Sequence, residues 1–318
     1  MKQHIFHITQ YHHLSPAART IRIVMALLVL LFFSCQKRLD LKYDLAPVKQ
    51  VIIANAYPDI LYVNISKSKQ PDDFRPIEFL DNCIVTLYED GIYREQLQFF
   101  LKDTLSGLGY YRTATALSPG KTYRIVSQHP ELGTAETTEY LPEYPALSKV
   151  ELLQHADSVQ TSSTGRYTFT LQDDGNRKDY YFVAAFYKVL RPVLQEDGDT
   201  VYRYDYIYNS PSYAPPVFTN PENYFRSYFT DELLNGKTMT IPCTFPSQYY
   251  GEFRESYLII EIAAVGENYY KWYVSQLPKG IPYLNDGQFQ RMNTPNNIVN
   301  GFGHFTANSS MYYTFRIH

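Results

Sequence analysis

The chain has 318 residues and a formal net charge of −3, with 45% hydrophobic and 19% charged residues. A mildly acidic chain without a cluster of Lys or Arg is a poor match for nucleic acid, so no nucleic-acid partner is expected. Tyrosine is unusually common, with 31 copies against one tryptophan. Because Tyr, Phe, Val, Ile and Thr favour half-buried pleated strands, the composition predicts a mainly β protein.

The first residues have the features of a bacterial signal peptide. Lys2, Arg19 and Arg22 provide a positive flank, and an unbroken apolar run follows from Ile23 to Phe33. At about 1.5 Å per residue this run reaches only about half of a bilayer core, which favours a signal peptide over a transmembrane helix. Residues 1–34 are therefore expected to be removed from the mature protein.

Ser34 and Cys35 stand at the end of the apolar run and resemble the lipobox that lipoprotein signal peptidase reads. A small residue before a cysteine fits that peptidase, and the thiol accepts the lipid. We expect Cys35 to be lipidated and residues 35–47 to form a polar tether. The alternative is an ordinary secretory leader that happens to end near a cysteine. Because several acyl chains together anchor a protein stably, the membrane is an expected partner through Cys35.

The lipidated chain is expected in the cell envelope as an outer-membrane lipoprotein. Gln36 and Lys37 resemble the start of the signal that exports some Bacteroidota lipoproteins to the cell surface. The acidic run that normally completes this signal is missing. The periplasmic face and the cell surface therefore both remain open.

Residues 48–142 are expected to form an N-terminal β-sandwich of the Ig-like or prealbumin-like kind. Glu89-Asp90-Gly91 is typical of a hairpin turn, and Pro119-Gly120 marks another turn. Short runs rich in β-branched and aromatic residues alternate with such turns at the spacing typical of sandwiches. The predicted strands cover residues 51–56, 61–66, 83–88, 93–100, 107–112, 121–127 and 135–141.

Residues 146–318 are expected to form a larger β-rich domain with one helix, and few contacts are expected to cross the boundary at Pro142 and Pro145. Three tyrosines and a leucine at helical spacing predict a helix from Glu267 to Leu277. Residues 209–236 contain four prolines, which predicts a long irregular excursion. The predicted strands cover residues 149–154, 166–171, 180–190, 202–208, 238–245, 257–265, 297–305 and 311–317.

Three segments of the second domain, in this order after the lipobox and the sandwich, resemble a known family. They are Asp231–Lys237, the Tyr-Tyr-Lys-Trp-Tyr run at 269–273, and Asn296–Phe305. The whole arrangement is similar to the Bacteroidota lipoprotein family catalogued as domain of unknown function 4249. The resemblance supplies no catalytic residues. It implies a genomic association with TonB-dependent outer-membrane receptors, so such a receptor is a possible partner.

Residues that usually carry catalysis or bind metals occur only singly. The sequence contains no HExxH, CxxC or G-x-S-x-G motif and no P-loop, so no catalytic residue, metal site or cofactor is expected. Cys83 and Cys243 fall in different predicted domains and are expected as buried thiols. The Asp-rich turns at 173–176 and 197–199 lack a calcium-binding frame and are expected to be solvated hairpin turns. Beyond the leader the histidines are His129, His155, His304 and His318.

One pattern indicates a candidate binding surface. Tyr202, Tyr204, Tyr206 and Tyr208 recur at period two, which places all four rings on one face of a strand. In one interpretation the rings pack against a neighbouring strand such as residues 180–190. In the other they form an exposed platform for sugar rings or peptide, since tyrosine combines a large apolar face with a hydroxyl.

These observations together predict a non-enzymatic outer-membrane lipoprotein, an accessory or ligand-capture partner of a TonB-dependent receptor. Two alternatives remain open. A surface hydrolase would need carboxylates that only the fold brings together, because such pairs require spatial proximity and not sequence proximity. A structural envelope or adhesion protein would need neither a ligand nor a catalytic group.

Overall fold

The computed structural model describes residues 47–70, 73–103, 108–155, 163–195, 199–209, 227–247, 253–275 and 295–317. The expected signal peptide at 1–34, Cys35 and the tether as far as residue 46 lie outside these ranges. The described residues form seventeen strands, one α-helix and one turn of 3₁₀ helix. None of the described helices has the length and apolar character needed to cross a membrane.

The first half of the described chain consists of eight strands. The hairpin predicted at Glu89-Asp90-Gly91 is confirmed, because Asp90 and Gly91 both have positive φ, at 49° and 82°, as a tight two-residue hairpin requires. The strands are β1 (Gln50–Ala56), β2 (Leu61–Lys67), β3 (Ile84–Glu89), β4 (Ile92–Gln96), β5 (Gln98–Asp103), β6 (Leu108–Arg112), β7 (Lys121–His129) and β8 (Gly133–Leu141).

The second half adds nine strands and the single helix α1 (Glu267–Ser275), which stands where the tyrosine spacing predicted a helix. A 3₁₀ turn at Asp231–Leu233 follows β13. The strands are β9 (Ala146–Gln154), β10 (Ser163–Gln172), β11 (Tyr180–Leu194), β12 (Thr200–Asn209), β13 (Ser227–Thr230), β14 (Thr238–Ser247), β15 (Glu255–Val265), β16 (Ile298–Val299) and β17 (Phe302–Arg316).

The described strands form three sheets. The nine-stranded sheet has the order β12-β11-β15-β17-β1-β2-β6-β5, with β13 also paired to β11. A five-stranded sheet, β16-β8-β7-β3-β4, and a three-stranded sheet, β14-β10-β9, complete the fold. The prediction of a mainly β protein, with an N-terminal sandwich followed by a β-rich part with one helix, is confirmed.

Two separate apolar cores show that the smaller sheets each pack on one part of the nine-stranded sheet. In the first core, Ile52 and Val63 of the large sheet meet Val85 and Ile125 of the five-stranded sheet. The second core joins strands β11 and β15 of the large sheet to the three-stranded sheet, and its members include Tyr187, Val183, Ile260, Phe169, Ile241 and Phe245. Alternation along most strands supplies one apolar face to the core, as antiparallel sandwiches require. Strands β11 and β15 are buried on both faces over much of their length, because α1 packs against the side that points away from the second core.

Strand β17 belongs to both sandwiches. Its first half, Phe302–Ala307, pairs with β1 in parallel, and its second half pairs with β15 in antiparallel register. Ile298, Phe305 and Ala307 complete the first core, so the N-terminal sandwich contains C-terminal residues. The expectation of few contacts across the Pro142–Pro145 boundary is therefore wrong, and the expectation that 48–142 and 146–318 fold independently, which rested on it, is untested.

Three strand predictions also need correction. The expected strand at 93–100 is interrupted at buried Leu97, so β4 and β5 pair in different sheets. The two expected C-terminal strands are β16 and one long β17, because residues 306–310 continue the ladder. The excursion at 209–236 contains β13 and the 3₁₀ turn, while 210–226 lies outside the described residues.

The turn at Asp173–Asn176 is exposed at Asp174, Gly175 and Asn176, as expected, but it is not a hairpin and its Asp173 is buried. It connects β10 to β11, which lie in opposite sheets of the second sandwich. Asp173 is buried and accepts hydrogen bonds from the Gly236 N–H at 2.8 Å and the Tyr181 hydroxyl at 3.1 Å. This carboxylate satisfies buried donors of the fold, so its role is structural.

Candidate functional site

The second sandwich has an outer face, which we define as the face of β12, β11, β15 and β17 that points away from the second core. In β11, Tyr181, Val183 and Tyr187 belong to the core, whereas Phe186 and Lys188 alternate with them. Because side chains alternate across a strand, Phe186 and Lys188 lie on the outer face. The register places Tyr206 of β12 opposite Lys188, so the tyrosines of β12 share this face.

The tyrosine row of β12 consists of Tyr202, Tyr204 and Tyr206, which are 49%, 43% and 52% exposed. The side chain of Tyr208 lies outside the described residues. Strand β12 pairs with β11, as one interpretation expected, yet that pairing buries none of these three rings. The described geometry therefore favours the exposed platform over the packed arrangement.

Basic and aromatic side chains hold the rings of the tyrosine row in place. The Lys188 ammonium nitrogen lies 4.1 Å from the centroid of the Tyr204 ring, and the Arg254 guanidinium carbon lies 5.2 Å from that of Tyr202. The centroids of the Phe186 and Tyr206 rings are 6.1 Å apart. Cation–π contacts and aromatic contacts of this size each stabilise an exposed ring by about 0.5–1 kcal/mol, enough to order it without burying it.

Glu255 fixes the hydroxyl of the central tyrosine. Its carboxylate oxygen Oε2 accepts hydrogen bonds from the Tyr204 hydroxyl at 2.9 Å and the Tyr257 hydroxyl at 3.0 Å. These two bonds, from Tyr204 first and Tyr257 second, hold the pKa of Glu255 below its ordinary value. The row therefore combines ordered aromatic faces with a carboxylate that is ionised at neutral pH.

A concave site lies on the outer face where the two sandwiches meet, and we call it the junction cleft. Its volume is about 540 Å³, within the range of small-molecule sites. Strand β17 and the turn between β1 and β2 both contribute lining residues, and both contribute polar ones. The residues that matter chemically are Tyr57, Asp59, Tyr144, Asn308, Ser310 and Tyr312.

A chain of hydrogen bonds orders the β17 wall of the junction cleft. Buried Glu261 of β15 accepts from the Ser310 hydroxyl at 2.8 Å and from the Tyr312 hydroxyl at 3.1 Å, both through Oε1. The Asn308 amide donates to Ser310 Oγ at 3.0 Å. Hydrogen bonds to a buried group are costly to break, so these side chains are oriented before any ligand arrives.

The isolated histidines and cysteines have structural surroundings. His129 Nδ1 accepts the backbone N–H groups of Glu131 and Leu132, and His304 packs 5.2 Å from the ring of Trp272. Cys83 and Cys243 are buried and unbridged, and burial raises the pKa of Cys243 to about 12. Within the ranges that the structure describes, no group of three His, Cys, Asp or Glu residues is placed to hold a metal ion.

Sequence reasoning identified the tyrosine row and missed the junction cleft. The period-two spacing of β12 was a sufficient signal for the row. The cleft joins Asp59 to Tyr312, which only the pairing of β17 with β1 brings together. No local pattern marks it, because Asn308, Ser310 and Tyr312 follow the ordinary alternation of a strand.

Comparison with known proteins identifies a family. The model of the family described as "Domain of unknown function (DUF4249)" matches residues 38–314, which is most of the chain. No curated protein matches the chain. Among solved structures, the chain is similar to one described as "Complete structure of manganese lipoxygenase of Gaeumannomyces graminis and partial structure of zonadhesin of Komagataella pastoris". The identity is 9% over 84% of this chain and 95% of that chain, and the TM-score of 0.20 is too low to carry an argument.

Proposed function

The chain belongs to the DUF4249 family, and we propose that it is a non-enzymatic outer-membrane lipoprotein. In this proposal a lipid on Cys35 holds the protein at the membrane, and the outer face of the second sandwich captures a ligand or partner. The protein then serves as an accessory subunit of a TonB-dependent receptor. The observation that carries the proposal is the exposed, pre-ordered tyrosine row of Tyr202, Tyr204 and Tyr206.

The chemistry of the tyrosine row supports recognition at this surface. Tyrosine contributes large contact area at a low cost in conformational entropy, and binding hot spots are enriched in Tyr and Arg. Tyr202 carries Arg254 over its ring, and Tyr204 carries Lys188. Because these contacts already restrict the rings, less ordering entropy is lost when a partner binds.

The position of the row also suits a partner of protein nature. Strand β12 is the terminal strand on its side of the described nine-stranded sheet, and β13 pairs with the same side of β11. Strand β12 ends at Asn209 and β13 begins at Ser227, both paired with the same side of β11. An edge strand with exposed aromatic side chains is accessible to a large partner from the side and from the face.

The lipid anchor is tested by labelling. Wild-type protein in cells fed a labelled fatty acid should incorporate the label and sediment with the outer membrane. Cys35→Ala should lose both properties, because the thiol that accepts the lipid is gone. Wild-type protein that takes up no label would remove the lipoprotein part of the proposal.

The partner is tested by site-specific photo-crosslinking in intact cells. A photoreactive amino acid replaces Tyr206 in one variant and Leu153 in the other, which is 60% exposed on the three-stranded sheet and serves as the matched control. We expect the adduct at position 206 to contain a TonB-dependent receptor and the adduct at position 153 to lack it. Equal receptor adducts at both positions, or none at position 206, would contradict the proposal.

A further inference from the structure

We infer that the junction cleft is a second binding site of this protein, specific for a neutral glycosyl unit such as one residue of an uncharged oligosaccharide. The inference goes beyond the proposed function, because it assigns a different site and does not require the tyrosine row. It rests on the shape of the cleft, the two kinds of side chain that line it, and its place in the sheet.

The aromatic walls suit the apolar faces of a pyranose ring. Tyr144 and Tyr312 are 48% and 60% exposed and both line the cleft. Tyr62, a further lining residue, is held by an edge-to-face contact with Tyr110 at 5.3 Å between ring centroids. A sugar presents C–H groups on its ring faces and hydroxyls on its rim, so it gains from aromatic faces and polar groups together.

The polar groups of the cleft suit the rim of the same ring. Asp59, Asn308 and Ser310 offer carboxylate, amide and hydroxyl groups, and the bonds to Glu261 keep the β17 members oriented. A purely apolar ligand would desolvate these groups without replacing their hydrogen bonds, which costs about 1–3 kcal/mol for each group. The hydroxyl groups of a sugar both donate and accept hydrogen bonds, so they can pair with the carboxylate, the amide and the hydroxyl of the cleft.

The charges of the cleft exclude an anionic ligand. No Lys, Arg or His is among its described lining residues, whereas Asp59 lines it and buried Glu261 lies behind it. A phosphate, sulfate or uronate would meet the Asp59 carboxylate, and the described lining residues offer it no cation, so its binding would be disfavoured. The expected ligand is therefore neutral.

The place of the cleft in the sheet disfavours an extended peptide. Peptides commonly bind sheets by adding a strand to a free edge. Strand β17 is paired with β15 and β1, and β1 is paired with β2 on its other side, so the strands beneath the cleft offer no free edge. Recognition here depends on side chains, which suits a compact ring.

The experiment measures binding of the purified full-length chain in detergent to neutral gluco-, galacto-, manno- and xylo-oligosaccharides by isothermal titration calorimetry. Galacturonic acid oligomers serve as the anionic probe. Tyr312→Ala and Tyr144→Ala each remove a ring from the cleft. Tyr93→Ala, 61% exposed on β4, removes a tyrosine that the cleft does not contain. Thermal unfolding of each variant shows that it is folded.

We expect at least one neutral oligosaccharide to bind, with at least tenfold weaker affinity in Tyr312→Ala or Tyr144→Ala and unchanged affinity in Tyr93→Ala. Binding of the anionic oligomers alone, binding that neither cleft variant weakens, or no binding to any neutral oligosaccharide in the panel would overturn the inference. The crosslinking at Tyr206 reports on the proposed function alone, so the two proposals fail separately.

Discussion

Tyr204 is ordered by its neighbours although 43% of it remains exposed. Lys188 covers its ring and Glu255 accepts a hydrogen bond from its hydroxyl, yet neither contact removes the ring from water. The stability that the protein draws from this side chain is therefore small, because large losses on truncation come from buried groups. What Tyr204 contributes is an ordered surface.

The first prediction compares exposed with buried tyrosine. Tyr204→Ala/Tyr206→Ala should lower the free energy of unfolding by roughly 1 kcal/mol or less per residue, as surface truncations usually do. Tyr187→Ala, which empties a fully buried site on the neighbouring strand, should lower it by about 3–5 kcal/mol. Urea or guanidinium titrations measure both values. A loss of several kcal/mol in the double variant would mean that the row is part of the core and would contradict its role as a binding surface.

The spacing of the tyrosines showed that they share a face but not which face meets the core. That choice depends on the opposing sheet of β9, β10 and β14, which packs against the face of β12 that carries Ile207. Part of that opposing sheet comes later in the chain than β12, since β14 begins at Thr238. The residues that determine which face of β12 is buried are therefore distant from it in sequence. Burial at period-two positions is therefore a tertiary property, although the shared face is a local one.

Glu139 is the described carboxyl with the largest upward shift in pKa. Burial raises its pKa from the ordinary 4.5 to about 8, against hydrogen bonds from the Asn268 amide and the Tyr140 N–H. Because the pKa of the folded state is above that of the unfolded state, the folded protein holds this proton more tightly. The resulting stabilisation is complete below about pH 4.5 and is lost as the pH rises through about 8.

The second prediction follows from this loss of stability as the pH rises. The free energy of unfolding of the wild type should fall between pH 5 and pH 8, at a rate approaching 1.4 kcal/mol per pH unit from this group. Glu139→Gln keeps the neutral form at every pH, so this part of the slope should disappear. Glu136→Gln on the exposed side of β8 should keep it. Denaturant titrations at several pH values measure the slopes, and equal slopes in wild type and Glu139→Gln would contradict the assignment.

At the scale of single elements, β17 is the strand whose length and pairing depart most from the prediction. The Asn-Gly-rich segment before it has a structural role. Asn297 accepts the Phe305 N–H at 2.8 Å and donates to the Phe305 carbonyl at 2.9 Å, and Asn300 has a positive φ of 59°. What local reasoning could not show is that the strand then continues to Arg316 and changes its partner from β1 to β15. Partner choice depends on residues hundreds of positions away.

The third prediction concerns Gly303 in β17. Its φ is +116°, and a Cβ atom there would lie 2.0 Å from the carbonyl oxygen of Ile52 in β1. Gly303→Ala must distort the backbone or separate the two strands, so we expect it to lower the free energy of unfolding by at least about 3 kcal/mol. Gly91→Ala is the control, because Gly91 has a φ of +82° but open space around it.

The Gly91→Ala control measures the cost of a positive φ alone, without the steric clash that a Cβ at position 303 makes with Ile52. Gly91→Ala should cost only about 1–2 kcal/mol, the penalty of a left-handed conformation for a residue with a side chain. Thermal or denaturant unfolding of both variants gives the comparison. If Gly303→Ala is no more destabilising than Gly91→Ala, the close approach of β1 and β17 is not a constraint on stability.

At the scale of the whole molecule, the two sandwiches are built from different lengths of chain than the sequence predicted. The first core draws most of its members from residues 52–141 and completes itself with Ile298, Phe305 and Ala307. Ser309 also donates to the carbonyl of Pro142, and β16 pairs with β8. The first sandwich therefore depends on residues that follow most of the second sandwich, an arrangement that composition and turn signals along residues 48–142 cannot reveal.

The last prediction tests that dependence with two proteins. Residues 48–142 alone lack the strand that pairs with β1 and the apolar side chains of 298–307, so they should show a weak cooperative thermal transition or none. The same residues joined to 295–309 by a flexible Gly/Ser linker of about 20 residues should unfold cooperatively at a clearly higher temperature, because the linker lets the missing strand dock. Phe305→Asp in the joined protein should remove that gain, since it places a charge in the first core. If 48–142 alone is as stable as the joined protein, β17 adds nothing to the first sandwich, and the boundary at Pro142–Pro145 divides two independent domains.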